Sequence, residues 1–495
     1  MVDSPKVKVL EEYANKIRDI PVSVSISEKE GSYTYSYNVS ISGISKNTEV
    51  VLEEIQEQLI KVMNLENFNI DETTGKTDAK FDAEATKVLD EFFPYSDEGT
   101  RKLLKSYLFS RSLGMGYIDF LLNDSHLEEI AIDNAKEPIW VYHRKWGWMK
   151  TNIFMSSEEQ IKQTAARIGR HVGRQINTLN PLLDAFLPSG ERINATISPI
   201  TTRGNTITLR KFSDDPWTIT KFIESNTLTS EVAAFIWQIM QFEMSILVVG
   251  GTASGKTSTL NTLSNFIPPN QRIVSIEDTA ELKLASFLYW VPMMTRSENA
   301  EGKGKVTMED LLVNSLRMRP DRILVGEVRK SADAETLFEA IHTGHSCYAT
   351  FHANNTREAI ARLTSEPVNV PRALLPAINV MLVQFRNRRT GKRRTFEVAE
   401  VLSDNKYNAL FTYDAKKDVI VRANKSERVT EELIMFTGLS EDELKKDLEE
   451  KKTILDVMVK LKIFNIEDVG RVMADYYANK PALLKRLNSE LKKNK

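Results

Sequence analysis

"SILVVGGTASGKTSTLNTLSNF", residues 245–266, decides the fold class of this chain. A short apolar run, Ile246–Val249, leads into a glycine-rich turn, and a helical pattern follows at once. Gly250–Thr257 match G-x-x-x-x-G-K-[ST], with strand before and helix after, as the mechanism of that loop requires. Its glycines let backbone N–H groups wrap phosphates, and the helix N-terminus adds positive potential. Lys256 would then reach the β- and γ-phosphates, and Thr257 would offer its hydroxyl to Mg²⁺. A chance glycine-rich turn is the bland alternative, and the agreement of strand, loop and helix argues against it. ATP and Mg²⁺ are the expected ligands, held by Gly250, Gly251, Thr252, Ala253, Ser254, Gly255, Lys256, Thr257 and Ser258.

Working outward, residues 218–402 alternate short apolar runs with helical patterns, as in a doubly wound parallel α/β sheet. The runs are "SILVVG", "RIVSI", "RILVGE", "CYATFHA", "NVMLVQF" and "TFEVAEVL". "RIVSI" ends in Glu277 and Asp278, and "RILVGE" ends in Glu327. Ligands of open α/β sheets bind beyond the carboxyl ends of the strands, so these acids fall on the nucleotide side. One could hold hydrated Mg²⁺ while another orients or deprotonates the attacking water. Solvated acids paired with a neighbour such as Arg329 are the alternative.

"HTGHSCYATFHAN", residues 342–354, holds three of the six histidines and the single cysteine. Cys347 and His352 are an odd number apart on a strand, which points them to opposite faces and makes a shared metal hard to build. His342 ends a helix, and His345 lies in the turn before the strand. His352, at the carboxyl end with Thr350 on the same face, suits a γ-phosphate sensor; metal binding and purely structural histidines stay open as alternatives.

The rest of the chain bounds the possibilities. At 495 residues it is long enough for about three domains. A net charge of −2 gives no global pull toward nucleic acid or anionic lipid. One cysteine excludes an intramolecular disulfide framework. No apolar run approaches the roughly 20 residues of a membrane span, so a cytoplasmic chain that meets the membrane only through a partner is expected. Residues 1–98 form a small appended module with strand-like "YTYSYNVSIS", helical "EEIQEQLIKVM" and a polar loop "DETTGKTDAK". Residues 99–212 form an α+β domain with a helix opened by Ser156 and Glu159 at capping-box spacing and a hairpin "ERINATISPI", "TTRGN", "TITLRKF". "SDDPWT" is the expected linker, 218–402 the ATPase domain, and 403–495 a mainly helical extension. There Ser440 and Glu443 cap one helix, and Ile454, Leu455, Val457, Met458 and Leu461 form an apolar stripe expected to pack in the core, with a partner groove as the alternative. "RNRRTGKRR", 386–394, is either a contact for an acidic partner or lipid surface, or a solvated hairpin tip.

In this order the motifs resemble the type II/type IV secretion ATPase superfamily, hexameric motors of pili, secretion systems and the archaellum. "GGTASGKT", "IEDTAEL", "RPDRILVGE" and "TGHSCYATFHAN" are similar to its phosphate loop, acidic box, Walker B strand and histidine box. The resemblance covers about residues 100–402 and implies a RecA-like P-loop ATPase domain after an α+β N-terminal domain. It implies Glu277 as catalytic carboxylate, Glu327 as the Mg²⁺-side acid beside Thr257, and His345 and His352 as the histidine pair. Arg192 and Arg210 match positions where the family's N-terminal domain places arginines on the nucleotide; ordinary surface arginines paired with acids are the alternative. The chain lacks the tetracysteine module of the bacterial branch and carries Thr279 in its acidic box, and so looks more like the archaeal secretion, pilus and archaellum branch.

The implied function is ATP hydrolysis by a homo-oligomer, a hexamer, that pushes on a polytopic membrane platform protein. Two rival classes remain. A RecA-like nucleic-acid translocase would want a basic channel or stacking aromatics, and neither stands out, so no direct nucleic-acid contact is expected. A non-motor nucleotide switch would not need the full carboxylate set.

Overall fold

The computed structural model describes residues 7–17, 20–63, 74–187, 190–211, 216–296, 298, 302–402 and 406–493. The chain divides into two compact units, Met1–Asp214 and Asp215–Lys495. Part of the expected linker, residues 213–215, lies outside the described residues.

The first unit runs β1 (Val7–Ile17), β2 (Ile20–Lys29), β3 (Tyr35–Ile41), α1 (Lys46–Met63), α2 (Thr74–Phe92), α3 (Glu98–Ser112) and α4 (Tyr117–Leu122). It continues with β4 (Leu127–Ile132), β5 (Pro138–His143), β6 (Gly147–Phe154), α5 (Glu158–His171), β7 (Leu182–Phe186), β8 (Arg192–Thr196) and β9 (Thr206–Arg210). Among the described residues its nine strands form one sheet in the order β1-β2-β3-β6-β5-β4-β9-β8-β7. β2 shows why: Val22, Val24 and Ile26 are buried while Ser23 and Ser25 between them are not, a period-two face that needs a cover. The sequence suggests a boundary near residue 98, yet β3 pairs in parallel with β6, and one apolar cluster runs from Ile17 to Leu209. Pairing removes the open edge that a free three-stranded meander would present. Two local expectations also shift. Residues 74–80 of the supposed polar loop begin α2, and the N-cap of α5 is Ser157, bonded by the Gln160 amide, one residue later than expected.

The second unit runs α6 (Ile219–Glu224), α7 (Ser230–Gln241), β10 (Ile246–Gly250), α8 (Lys256–Ser264), β11 (Ile273–Glu277), β12 (Trp290–Met294), α9 (Met308–Leu316), β13 (Arg322–Val328) and α10 (Ser331–His342). Then come β14 (Ser346–Phe351), α11 (Thr356–Leu363), β15 (Val380–Arg386), β16 (Arg393–Val401), β17 (Tyr407–Asp414), β18 (Val419–Arg422), α12 (Arg428–Thr437), α13 (Glu441–Lys460) and α14 (Ile466–Lys493). The sheet order is β12-β11-β13-β14-β10-β15-β16-β17-β18, parallel from β12 to β15 and antiparallel beyond. All five residues of β10 are buried, because both faces are covered: Ile246 and Val248 join one apolar cluster with α7, α13 and α14, and Leu247 and Val249 join another with α10 and α11. This is the RecA-like parallel sheet, with the phosphate-loop strand central between β14 and β15.

The C-terminal extension is not a separate body. Ser440 and Glu443 form a complete capping box on α13, and Ile454, Leu455, Val457 and Met458 sit in the same core as Trp237 of α7. Among the described residues no helix is long and apolar enough to cross a membrane.

Candidate active site

Parallel pairing brings the carboxyl ends of β10, β11, β13 and β14 to one edge of the sheet. β10 ends in the phosphate loop. Ala253 takes φ +59° and Gly255 φ +95°, left-handed conformations that turn the chain back toward α8. Gly250 cannot carry a side chain, since a Cβ there would stand 2.3 Å from Ser254 Oγ and 2.8 Å from the Gln384 carbonyl oxygen. Ser254 Oγ and Lys256 Nζ both donate to the Gly251 carbonyl, at 2.9 and 3.2 Å. Thr257 and Ser258 follow on the first turn of α8, half-buried. Burial holds the Lys256 ammonium below the usual lysine range, and the charges of Glu327 and Glu281 oppose that shift.

The acids are not equivalent. Glu277 is 2% exposed, and its Oε1 accepts the backbone N–H groups of Glu281 at 2.9 Å and Leu282 at 3.1 Å. Burial pushes its carboxyl up to about 7, against the pull of those amides. Gly326 on the neighbouring strand makes the room: a Cβ there would lie 3.4 Å from the Glu277 backbone and side chain. The family resemblance implies Glu277 as the catalytic carboxylate. In the structure its Oε1 accepts from its own loop, and the charges of Glu327 and Glu281 act on Lys256. Glu327 accepts two bonds from Arg329, at 3.0 and 2.6 Å, and Arg329 also reaches Asp278 at 3.3 Å. The pairing with Arg329 offered as an alternative is thus present, beside the phosphate loop.

The histidines separate. His352, just beyond β14, places Nε2 3.2 Å from Thr252 Oγ1 at the tip of the phosphate loop. It shares with Glu327 and Arg329 the lining of a cavity of about 290 Å³. His345 precedes the first residue of β14, where its Nδ1 lies 3.2 Å from the Ala340 carbonyl oxygen. A strand of that length puts it about 20 Å from His352, so the two cannot meet one phosphate of this chain's own loop. Thr350, expected on the sensing face, gives its hydroxyl to the Gly326 carbonyl at 2.5 Å. Cys347 is buried in the apolar layer, and burial raises its thiol pKa. Among the described residues no three His, Cys, Asp or Glu side chains converge as metal ligands.

In the first unit Arg192 and Arg210, eighteen residues apart in sequence, are direct cross-strand partners on β8 and β9. Arg192 makes a two-pronged pair with Asp184, at 3.0 and 2.7 Å. Arg210 stands opposite Glu129 of β4.

Two arginines reach the site without a place in the four motifs, Arg362 with no signal in the sequence and Arg393 from the basic run already singled out. Arg362 of α11 contacts His352 (3.1 Å). Arg393, from the basic hairpin, donates Nε to the Ala253 carbonyl at 3.1 Å, bracing the left-handed corner of the phosphate loop. Arg394 and Lys392 of the same hairpin both pair with Asp418. Of the three, Arg394 is buried while Lys392 and Arg393 stay exposed.

A phosphate loop, strand-end acids and a histidine on one edge of a parallel sheet define a P-loop nucleotide-binding protein. Residues 115–408 match the family described as "Type II/IV secretion system protein", and the chain belongs to that family. An uncharacterized protein of Methanocaldococcus jannaschii, MJ0900, is 35% identical over 384 residues, 75% of this chain and 69% of that protein. Type IV secretion system protein PtlH of Bordetella pertussis is 29% identical over 317 residues, 56% of this chain and 93% of that one. Among solved structures, the pilus retraction motor PilT with bound ADP is similar at a TM-score of 0.44 and 18% identity, over 71% of this chain and 94% of that one.

Proposed function

We propose that the chain is the ATP-hydrolysing motor subunit of a type II/IV secretion or pilus-like machine of the archaeal branch, working as a hexamer on a polytopic membrane platform protein. One observation carries the reading: His352 contacts the tip of the phosphate loop that holds Lys256 and lines one cavity with Glu327 at the carboxyl edge of the sheet. In the reaction, water attacks the γ-phosphorus of ATP, the bond to the β–γ bridging oxygen breaks, and ADP leaves with phosphate. Lys256 and the loop amides hold the phosphates. His352 donates to the γ-phosphate. Thr257 and Glu327 offer the oxygen donors that suit hydrated Mg²⁺, which would neutralise phosphate charge when bound. Arg192 and Arg210 are proposed as guanidinium donors to the transferring phosphoryl, and His345 as a group outside the chemistry.

We assign the water-activating carboxylate to Glu281, with Glu277 as the buried brace whose oxygen shapes the Glu281 loop. Turnover of two isosteric variants tests this. Glu281→Gln should bind ATP and lose on the order of 10²-fold or more in kcat, the scale of a missing general base. Glu277→Gln, whose amide oxygen still accepts both N–H groups, should retain most of its turnover. The reverse ranking returns the role to Glu277.

A further inference from the structure

The His352 ring stands between two partners. Nδ1 lies 3.1 Å from Nη1 of Arg362, and Nε2 lies 3.2 Å from Thr252 Oγ1. A guanidinium has donors only and stays protonated. A ring nitrogen facing it must therefore accept, which leaves the one proton of the neutral imidazole on Nε2. Arg362 is itself fixed. Its Nη1 also donates to the His352 carbonyl, its charge has Glu358 at 4.0 Å one turn earlier on α11, and its guanidinium carbon lies 5.6 Å from the Phe351 ring centroid. One side chain thus engages both the ring and the backbone of the same histidine.

We propose that Arg362 is a positioning residue that locks His352 in the Nε2–H tautomer, so that the ring presents a proton donor to the phosphate loop and to the γ-phosphate. Phosphate oxygens accept and do not donate, so the other tautomer would set a lone pair against them. The proposal rests on the hydrolysis reading above and deepens it. Arg362 touches no phosphate; it acts through His352.

The tautomer is measured directly by ¹⁵N NMR of the full chain labelled at histidine, with His352→Asn to assign the resonance. The wild type should show protonated Nε2 and bare Nδ1. Arg362→Met keeps an apolar stem on Phe351 but lacks a donor; it should mix the tautomers and lower kcat roughly tenfold, the scale of one lost hydrogen bond, while ADP affinity and unfolding temperature hold. Arg362→Lys restores a donor and should recover both signals. A protonated Nδ1 in the wild type, or Arg362→Met with an unchanged tautomer and kcat, overturns the proposal. If the wild type fails to hydrolyse ATP, the hydrolysis reading falls, while the tautomer in free protein still decides whether Arg362 sets it.

Discussion

Glu277 shows how far a sequence motif can specify a single residue. The acidic box was legible, because a strand ending in "EDTAEL" has to release its acids at the ligand-binding edge. That Glu277 would take bonds from its own loop was not, because the chain after it folds back and gives the amides of Glu281 and Leu282 to its carboxylate. Burial also gives Glu277 a pH signature. Its folded-state pKa, about 7, is above that of an ordinary carboxyl, so the folded state binds the proton more tightly than the unfolded chain. Stability from this group is complete below about pH 4.3 and is lost as pH rises through about 7, on the order of 3 kcal/mol in all. The denaturant midpoint of the wild type should therefore fall from pH 5 to pH 8 more steeply than that of Glu277→Gln. Parallel pH curves would show that Glu277 is not a buried titrating group.

At the scale of elements, the parallel strands were readable, since a strand covered on both faces is a continuous apolar run and β10 is one. The helical stripe on α13 was readable for the same reason, at a different period. Long-range pairing was not: nothing local to β3 states that its partner is β6, more than a hundred residues on. Nor does local pattern expose the clamp between α13 and α7. Lys451 is 0% exposed, pairs with Asp447, and lies 5.6 Å from the Trp237 ring centroid and 5.3 Å from that of Tyr476. Asp447 also accepts from Gln238 at 2.8 Å. Asp447→Ala would leave a buried cation without its partner and should cost about 3 kcal/mol, whereas Lys451→Met, which fills the space with an apolar chain, should cost far less. Urea unfolding of the two variants checks the order, and equal losses would contradict it.

At the scale of the whole molecule, the described residues form two units, each on a nine-stranded sheet, where changes of periodicity along the sequence suggest four consecutive pieces. Changes of periodicity mark where elements change, but shared cores mark where bodies end, and only pairing and packing define those. The motifs survived this regrouping because each is local to one strand end, while Arg362 arrives from a helix that carries no motif and Arg393 from a basic hairpin whose sequence did not point to the phosphate loop. The central claim is that this edge of the second unit is a working ATPase site. Phosphate release by purified chain, with ATP and Mg²⁺, tests it most directly against Lys256→Ala, with light scattering followed in the same samples. Steady, Mg²⁺-dependent release that Lys256→Ala abolishes, together with nucleotide-promoted assembly, is the predicted result. Release that survives Lys256→Ala, or a wild type that binds ATP and remains a monomer without turnover, would contradict the account.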